Sequence, residues 1–230
     1  MTRQMKNLRT LLILLISTVM TAQNNPQPTV DVTGEAIVRA VPDEVTISVR
    51  VENTGNEVKP LKMKNDQILD DVLQTIKLLG IEDKNVQTEY VRLSKNYQHN
   101  TKTYNYSANQ TISIYLKDLE KYESLMDGLM ASGINRIDGI SFSSSQEMEL
   151  KSKARKKAVE NAVMKAKEYV GVLNQTIGKA VSISEFQNSI APQPMFKSMA
   201  MQDESAGIKQ TLAPGEIEIR TTVNVRFVLN

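Results

Sequence analysis

The chain has 230 residues, with 28 Lys+Arg against 26 Asp+Glu and no Cys. The lack of Cys excludes structural disulfides, thiol redox chemistry, Cys–metal sites and the acylated cysteine of a bacterial lipoprotein. So balanced a charge lacks the bulk positive field of a nucleic-acid binder.

The chain opens on Arg3, Lys6 and Arg9, then the apolar run Leu11–Ile16, then small and polar residues up to Ala22. A charged stretch, a short apolar core and a small residue at the cut predict a secretory signal peptide over 1–22. The apolar run is too short to cross a bilayer, which takes about 20 residues. Cleavage after Ala22 removes three basic and no acidic residues, leaving 25 against 26, so the mature chain is near neutral. Residues 23–28 read as a linker and 29–230 as one large domain or two intimately packed subdomains, with no transmembrane segment expected in the mature chain.

From there the fold class reads as α+β, antiparallel sheets packed with three main helices. In Glu44–Glu52, Val45, Ile47, Val49 and Val51 alternate with polar residues, the period of a sheet with one wet face. Thr29–Val41 alternates more loosely, and the Val41-Pro42-Asp43-Glu44 turn between them predicts a hairpin. A helix follows over Val58–Leu79, with Leu61, Ile68, Leu69, Val72, Ile76 and Leu79 on its core face. Gly80 supplies its left-handed end and Ile81 the apolar contact after it.

Asn85–Leu93 and Ala108–Leu116 read as strands, with the polar, Tyr-rich Ser94–Ser107 as a long hairpin tip. A second helix runs from its N-cap Asp118 to Ser132, with Leu119, Tyr122, Leu125, Met126, Leu129 and Met130 inward. It too ends in Gly-Ile, at Gly133-Ile134, before a strand over Ile137–Ser143. A strand–helix–Gly-Ile–strand unit thus occurs twice, 53 residues apart, which predicts internal pseudo-symmetry. The third helix opens on a Ser144…Glu147 capping box. Ala154, Ala158, Ala162 and Ala166 form its seam, which continues to Val170 and Leu173. Lys179–Phe186 is a strand and Gln187–Pro214, with three Pro residues, a mobile loop. In the last strand Ile217, Ile219, Val223, Val225, Phe227 and Leu229 alternate with polar residues.

The order of these motifs resembles the SIMPL-domain family. The stretches that carry it are Val32-Thr33-Gly34-Glu35-Ala36, Val41-Pro42-Asp43, Leu79-Gly80-Ile81 followed by Asn85-Val86-Gln87-Thr88, and Tyr104-Asn105-Tyr106-Ser107-Ala108. Then come Arg155…Ala158…Ala162…Ala166, Gly178–Glu185, and Pro214-Gly215-Glu216-Ile217. Together they span about residues 29–230. Gly171 and Gly178 sit further apart than that family's helix-end glycines. The resemblance implies two interlocked subdomains, a bacterial periplasmic or surface location, ring-like homo-oligomers and a loose link to oxidative-stress defence. It carries no active site to transfer.

No residue is singled out as catalytic, cofactor-binding or metal-binding. His99, the only histidine, lies among Asn96, Gln98, Asn100 and Thr101 and reads as a solvated loop residue. Tyr97, Tyr104 and Tyr106 suit cross-strand pairing, a subunit contact or a sugar face. Met195, Met199 and Met201 carry soft thioethers that suit Cu(I) or reversible oxidation, although apolar contact or disorder is the plainer use. Lys151, Lys153, Arg155, Lys156, Lys157, Lys165 and Lys167 read as a wet helix face, with attraction to anionic lipid or polysaccharide a weaker reading. Asp70 and Asp71 are adjacent on a helix and point apart. P-loop, HExxH, CxxC and GxSxG motifs do not occur.

The leading expectation is a non-enzymatic periplasmic homo-oligomer supporting envelope or oxidative-stress tolerance, with envelope association. A binding module for a small molecule, glycan or soft metal is the alternative. A hydrolytic enzyme ranks last.

Overall fold

The computed structural model describes residues 27–186, 212 and 214–230. The signal-peptide reading, most of the linker and Met195, Met199 and Met201 lie outside the described residues. The secondary structure is α+β, as the periodicities predict.

Among the described residues eight strands run in chain order: β1 (Thr29–Ala40), β2 (Glu44–Gly55), β3 (Val86–Thr88), β4 (Arg92–Gln98), β5 (Thr103–Leu116), β6 (Arg136–Ser143), β7 (Ile177–Phe186) and β8 (Ile217–Leu229). The helices are α1 (Val58–Leu78), α2 (Tyr122–Ala131) and α3 (Glu147–Val172). The strands form a three-stranded sheet ordered β1-β8-β7 and a five-stranded sheet ordered β3-β5-β2-β6, with β4 also paired to β5. None of the helices among the described residues is long and apolar enough to cross a membrane. By contacts the chain divides into two units. Of the described residues, one unit holds 27–36, 155–186 and 221–230, and the other holds 37–154, 212 and 214–220.

In the larger unit, β2 and β5 pair antiparallel at the centre, from Val45 opposite Leu116 to Gly55 opposite Tyr106. The two predicted repeats are β2-α1-β3 and β5-α2-β6. Their order in the sheet is unchanged when the repeats are exchanged, which is a pseudo-two-fold relation about the β2–β5 pair. β2 and β3 are both antiparallel to β5, and so parallel to each other with β5 between them. This is the β-α-β-β-α-β ferredoxin-like arrangement. Its two helices end alike. Gly80 and Gly133 have φ of 70° and 91°, and Ile81 and Ile134 N–H bond back to the carbonyls of Ile76 and Leu129, both at 3.2 Å. These are Schellman ends, which a glycine's freedom at positive φ permits. The core joins Val45, Ile47, Val49, Ile112, Ile114 and Leu116 of the sheet to Val72, Ile76, Leu125 and Leu129 of the helices.

In the smaller unit, residues 155–172 of α3 lie on β7 and the adjoining parts of β1 and β8. Ala158, Ala162 and Ala166 are fully buried against Val32, Val223, Val225 and Phe227. The seam brings the helix so close that a Cβ on Gly34 would stand 2.0 Å from the Ala158 carbonyl oxygen and 2.8 Å from Ala162 Cβ.

Four expectations are corrected. β1 and β2 are not a hairpin, because they lie in different sheets. The Pro42-Asp43 turn does occur. However, Asp43 N–H bonds Ser143 O at 3.2 Å and its carboxylate accepts from Ser145 N–H at 2.8 Å, so long-range pairing overrides the local signal. The capping box at Ser144 is half formed. Ser144 Oγ accepts from Gln146 N–H at 3.3 Å, while Glu147 pairs with Lys151. Met130 and Leu173, read as inward, are 56% and 65% exposed, since one sits on the outer side of a short helix and the other past the end of α3. Lastly, the predicted strand over 85–93 is two strands. β3 opposes β5 from Val86–Ile114 and β4 from Arg92–Asn109, so the register slips by one residue between them.

Candidate functional site

That slip moves the inward-facing positions from Val86 and Thr88 to Leu93, Lys95 and Tyr97. The Tyr-rich segment is therefore a ladder and not a loop tip; only residues 99–102 turn. Tyr97 stands opposite Tyr104, and Lys95 opposite Tyr106. The Tyr97 and Tyr104 rings lie 5.1 Å apart, and Lys95 Nζ sits 4.2 Å from the Tyr104 centroid and 5.9 Å from that of Tyr106. His99 meets Tyr97 edge-on at 5.0 Å. The histidine is thus exposed at the end of an aromatic row, and among the described residues no three His, Asp or Glu side chains gather as metal ligands.

This row continues the face that carries the core. Leu93 is opposite Ala108, which is fully buried, yet Leu93, Tyr97 and Tyr104 are 49%, 43% and 52% exposed. At the ribbon's root a buried amide relay fixes its direction. Asn53 Nδ2 donates to Asn65 Oδ1 at 2.6 Å, and Asn65 Nδ2 donates to the Ala108 carbonyl at 3.1 Å. Sequence reading missed Asn65, a polar residue inside an apolar helix stripe. The break in that stripe was its only signal.

The opposite face of the five-stranded sheet is polar. Asp138 accepts from Arg50 at 2.7 Å and Arg136 at 3.0 Å, and Arg136 also lies 3.7 Å from Glu52. Ser48, Asn109, Thr111 and Arg92 line a shallow cavity of about 380 Å³ beside Arg50 and Asp138. The alternation in β2 announces a wet face but not which charges meet across strands. At one end of this face, burial and then a hydrogen bond to Glu44 push the Tyr115 hydroxyl up to about 12. Asp43 has its carboxyl held below the usual 3.8, chiefly by the Ser145 hydroxyl.

The basic helix is partly self-satisfied. Arg155 Nε pairs with Glu185 at 3.0 Å and Lys165 Nζ donates to the Thr33 carbonyl at 2.9 Å. Asp71 accepts from Gln67 at 3.1 Å, and it and Asp70 form no dyad.

Helix-backed antiparallel sheets with an aromatic ribbon and polar outer faces define an α+β protein built around surfaces. The chain belongs to the SIMPL family, described as a protein of unknown function (DUF541), whose model matches residues 30–227. It is 27% identical over 216 residues to the uncharacterized protein YggE of Escherichia coli K12, covering 91% of this chain and 88% of that one. It is also 27% identical over 224 residues to the 26 kDa periplasmic immunogenic protein of Brucella melitensis, covering 90% of this chain and 88% of the relative. A mouse relative, interleukin-1 receptor-associated kinase 1-binding protein 1, is 28% identical over 164 residues, covering 68% of this chain and 59% of its own.

Proposed function

We propose that this chain is an exported, non-enzymatic SIMPL-domain protein that assembles with copies of itself and supports envelope or oxidative-stress tolerance. Residues 1–22 serve as its signal peptide and 29–230 as one SIMPL-like domain, with no residue in a catalytic, cofactor or metal role. Export is supported by the basic-then-apolar N-terminus and by the periplasmic name of the Brucella relative. The stress role rests on the family resemblance alone.

The observation that carries self-assembly is the ribbon. Leu93, Tyr97 and Tyr104 extend a core face into solvent, and such contiguous aromatic surface marks interaction sites. Sedimentation velocity on the mature protein tests it. A defined oligomer that Tyr97→Glu dissociates is the expected result, and a monomer throughout the micromolar range would sink the proposal.

A second reading uses the same ribbon as a glycan platform, favoured by Tyr97, Tyr104 and Tyr106 sharing a face with Lys95. A glycan array tests it, and an array without signal removes it. Calorimetric titration with Cu(I) tests Met195, Met199 and Met201 in the same way.

A further inference from the structure

The β3 edge of the five-stranded sheet carries a second, unrelated feature. Glu89 N–H bonds the Thr111 carbonyl at 2.9 Å, and Gln87 stands opposite Ser113. The odd residues of this segment thus turn their main-chain groups toward β5, and Val86 and Thr88 turn theirs away. Val86 N–H is taken by the Asp83 carbonyl. The Val86 C=O and both main-chain groups of Thr88 are left pointing off the sheet, since β3 is the outermost strand.

Beside this edge lies a groove of about 450 Å³ between α1 and β3, within the size range of ligand sites. Leu73, Ile76 and Val86 give it an apolar floor, and Asp70, Lys77 and Asp83 rim it. Leu73 is 37% exposed although its neighbours Val72 and Ile76 are buried. None of the three rim charges forms an ion pair among the described residues.

We propose that this groove binds an extended segment of another polypeptide, which adds as a strand beside β3 and seats one branched aliphatic side chain on Leu73, Ile76 and Val86. The occupant is a peptide because the edge offers a donor and an acceptor on one residue, Thr88, spaced as a β-ladder requires. Directly opposed residues point to the same face. Thr88 is opposite the fully buried Ile112, so the incoming residue opposite Thr88 points toward α1, into the groove. Residues two places away reach the rim, a basic one to Asp70 or Asp83 and an acidic one to Lys77. With so short an edge the affinity is modest, on the order of 10–1000 μM.

The test is an NMR titration of the isotope-labelled mature chain with the blocked peptide acetyl-Lys-Thr-Val-Thr-Glu-amide. Saturable shifts at the Thr88, Leu73 and Lys77 amides are expected. N-methylation of the peptide's valine, which removes the donor to Thr88 C=O, should weaken binding about tenfold. Leu73→Glu, at an exposed position and with the rest of the spectrum unchanged, should abolish it. Three results would each overturn the proposal: no shifts at those amides at millimolar peptide, equal binding of the N-methylated peptide, or shifts there that follow protein concentration without peptide and so assign the groove to a second copy.

Discussion

Three positions show how single residues set this structure. Gly34 is required by closeness. A Cβ there would lie 2.0 Å from a backbone oxygen of α3, and backbone cannot swing aside as a flexible side chain can. Gly34→Ala should cost about 1–3 kcal/mol in a urea melt. Asn65 is required by polarity. It is 1% exposed and joins Asn53 to the Ala108 carbonyl, so Asn65→Ala leaves the buried Asn53 amide without its acceptor and should cost about 2 kcal/mol by the same measurement. Asp43 is required by charge. Its carboxyl is lowered by the Ser145 hydroxyl and main chain, so it stabilises the fold above its unfolded value of 3.8, and this contribution is lost as pH falls through the lower folded value. The melting-temperature gap between wild type and Asp43→Asn should therefore be open at neutral pH and close toward the acid end. A gap that widened on acidification would contradict the assignment.

At the scale of elements, agreement between local pattern and structure follows how local each cause is. Helix stripes, the alanine seam and both Gly-Ile ends depend on residues within two turns, and apart from Met130 and Leu173 they appear where the periodicity puts them. The supposed β1–β2 hairpin fails because strand pairing is chosen by distant segments. β2 has β5 and β6 as partners, and β1 has β8. Edges are equally non-local. β3 has three residues, and β6 and β7 are joined to their neighbours with register shifts, features that discourage unlimited edge-to-edge association. The ribbon of β4 and β5 persists through cross-strand contacts. A double-mutant cycle on Tyr97→Ala and Tyr104→Ala should give a coupling of about 0.5–1 kcal/mol in stability; no coupling would mean that the rings merely lie near each other.

For the whole molecule, the testable consequence of the export proposal is the mature terminus. Mass spectrometry of protein recovered from the periplasmic fraction should show a chain beginning at Gln23, and an intact Met1 would reject cleavage. The repeat at 53-residue spacing was readable without coordinates, but its meaning was not. Two copies of a strand–helix–strand unit are compatible with many arrangements, and only the order β3-β5-β2-β6 shows them interleaved as a pseudo-symmetric sheet. The candidate surfaces divide along the same line. The composition of the ribbon was evident, whereas its exposure was not, because a tyrosine's neighbours across a strand depend on register. The amino-acid order by itself determined the α+β class, the helix faces and their glycine ends, since those follow from periods of two and 3.6 residues acting over short spans. Tertiary structure alone decided which strands are neighbours, where the register slips, and which apolar and charged groups are left facing outward, because each depends on partners tens to hundreds of residues away.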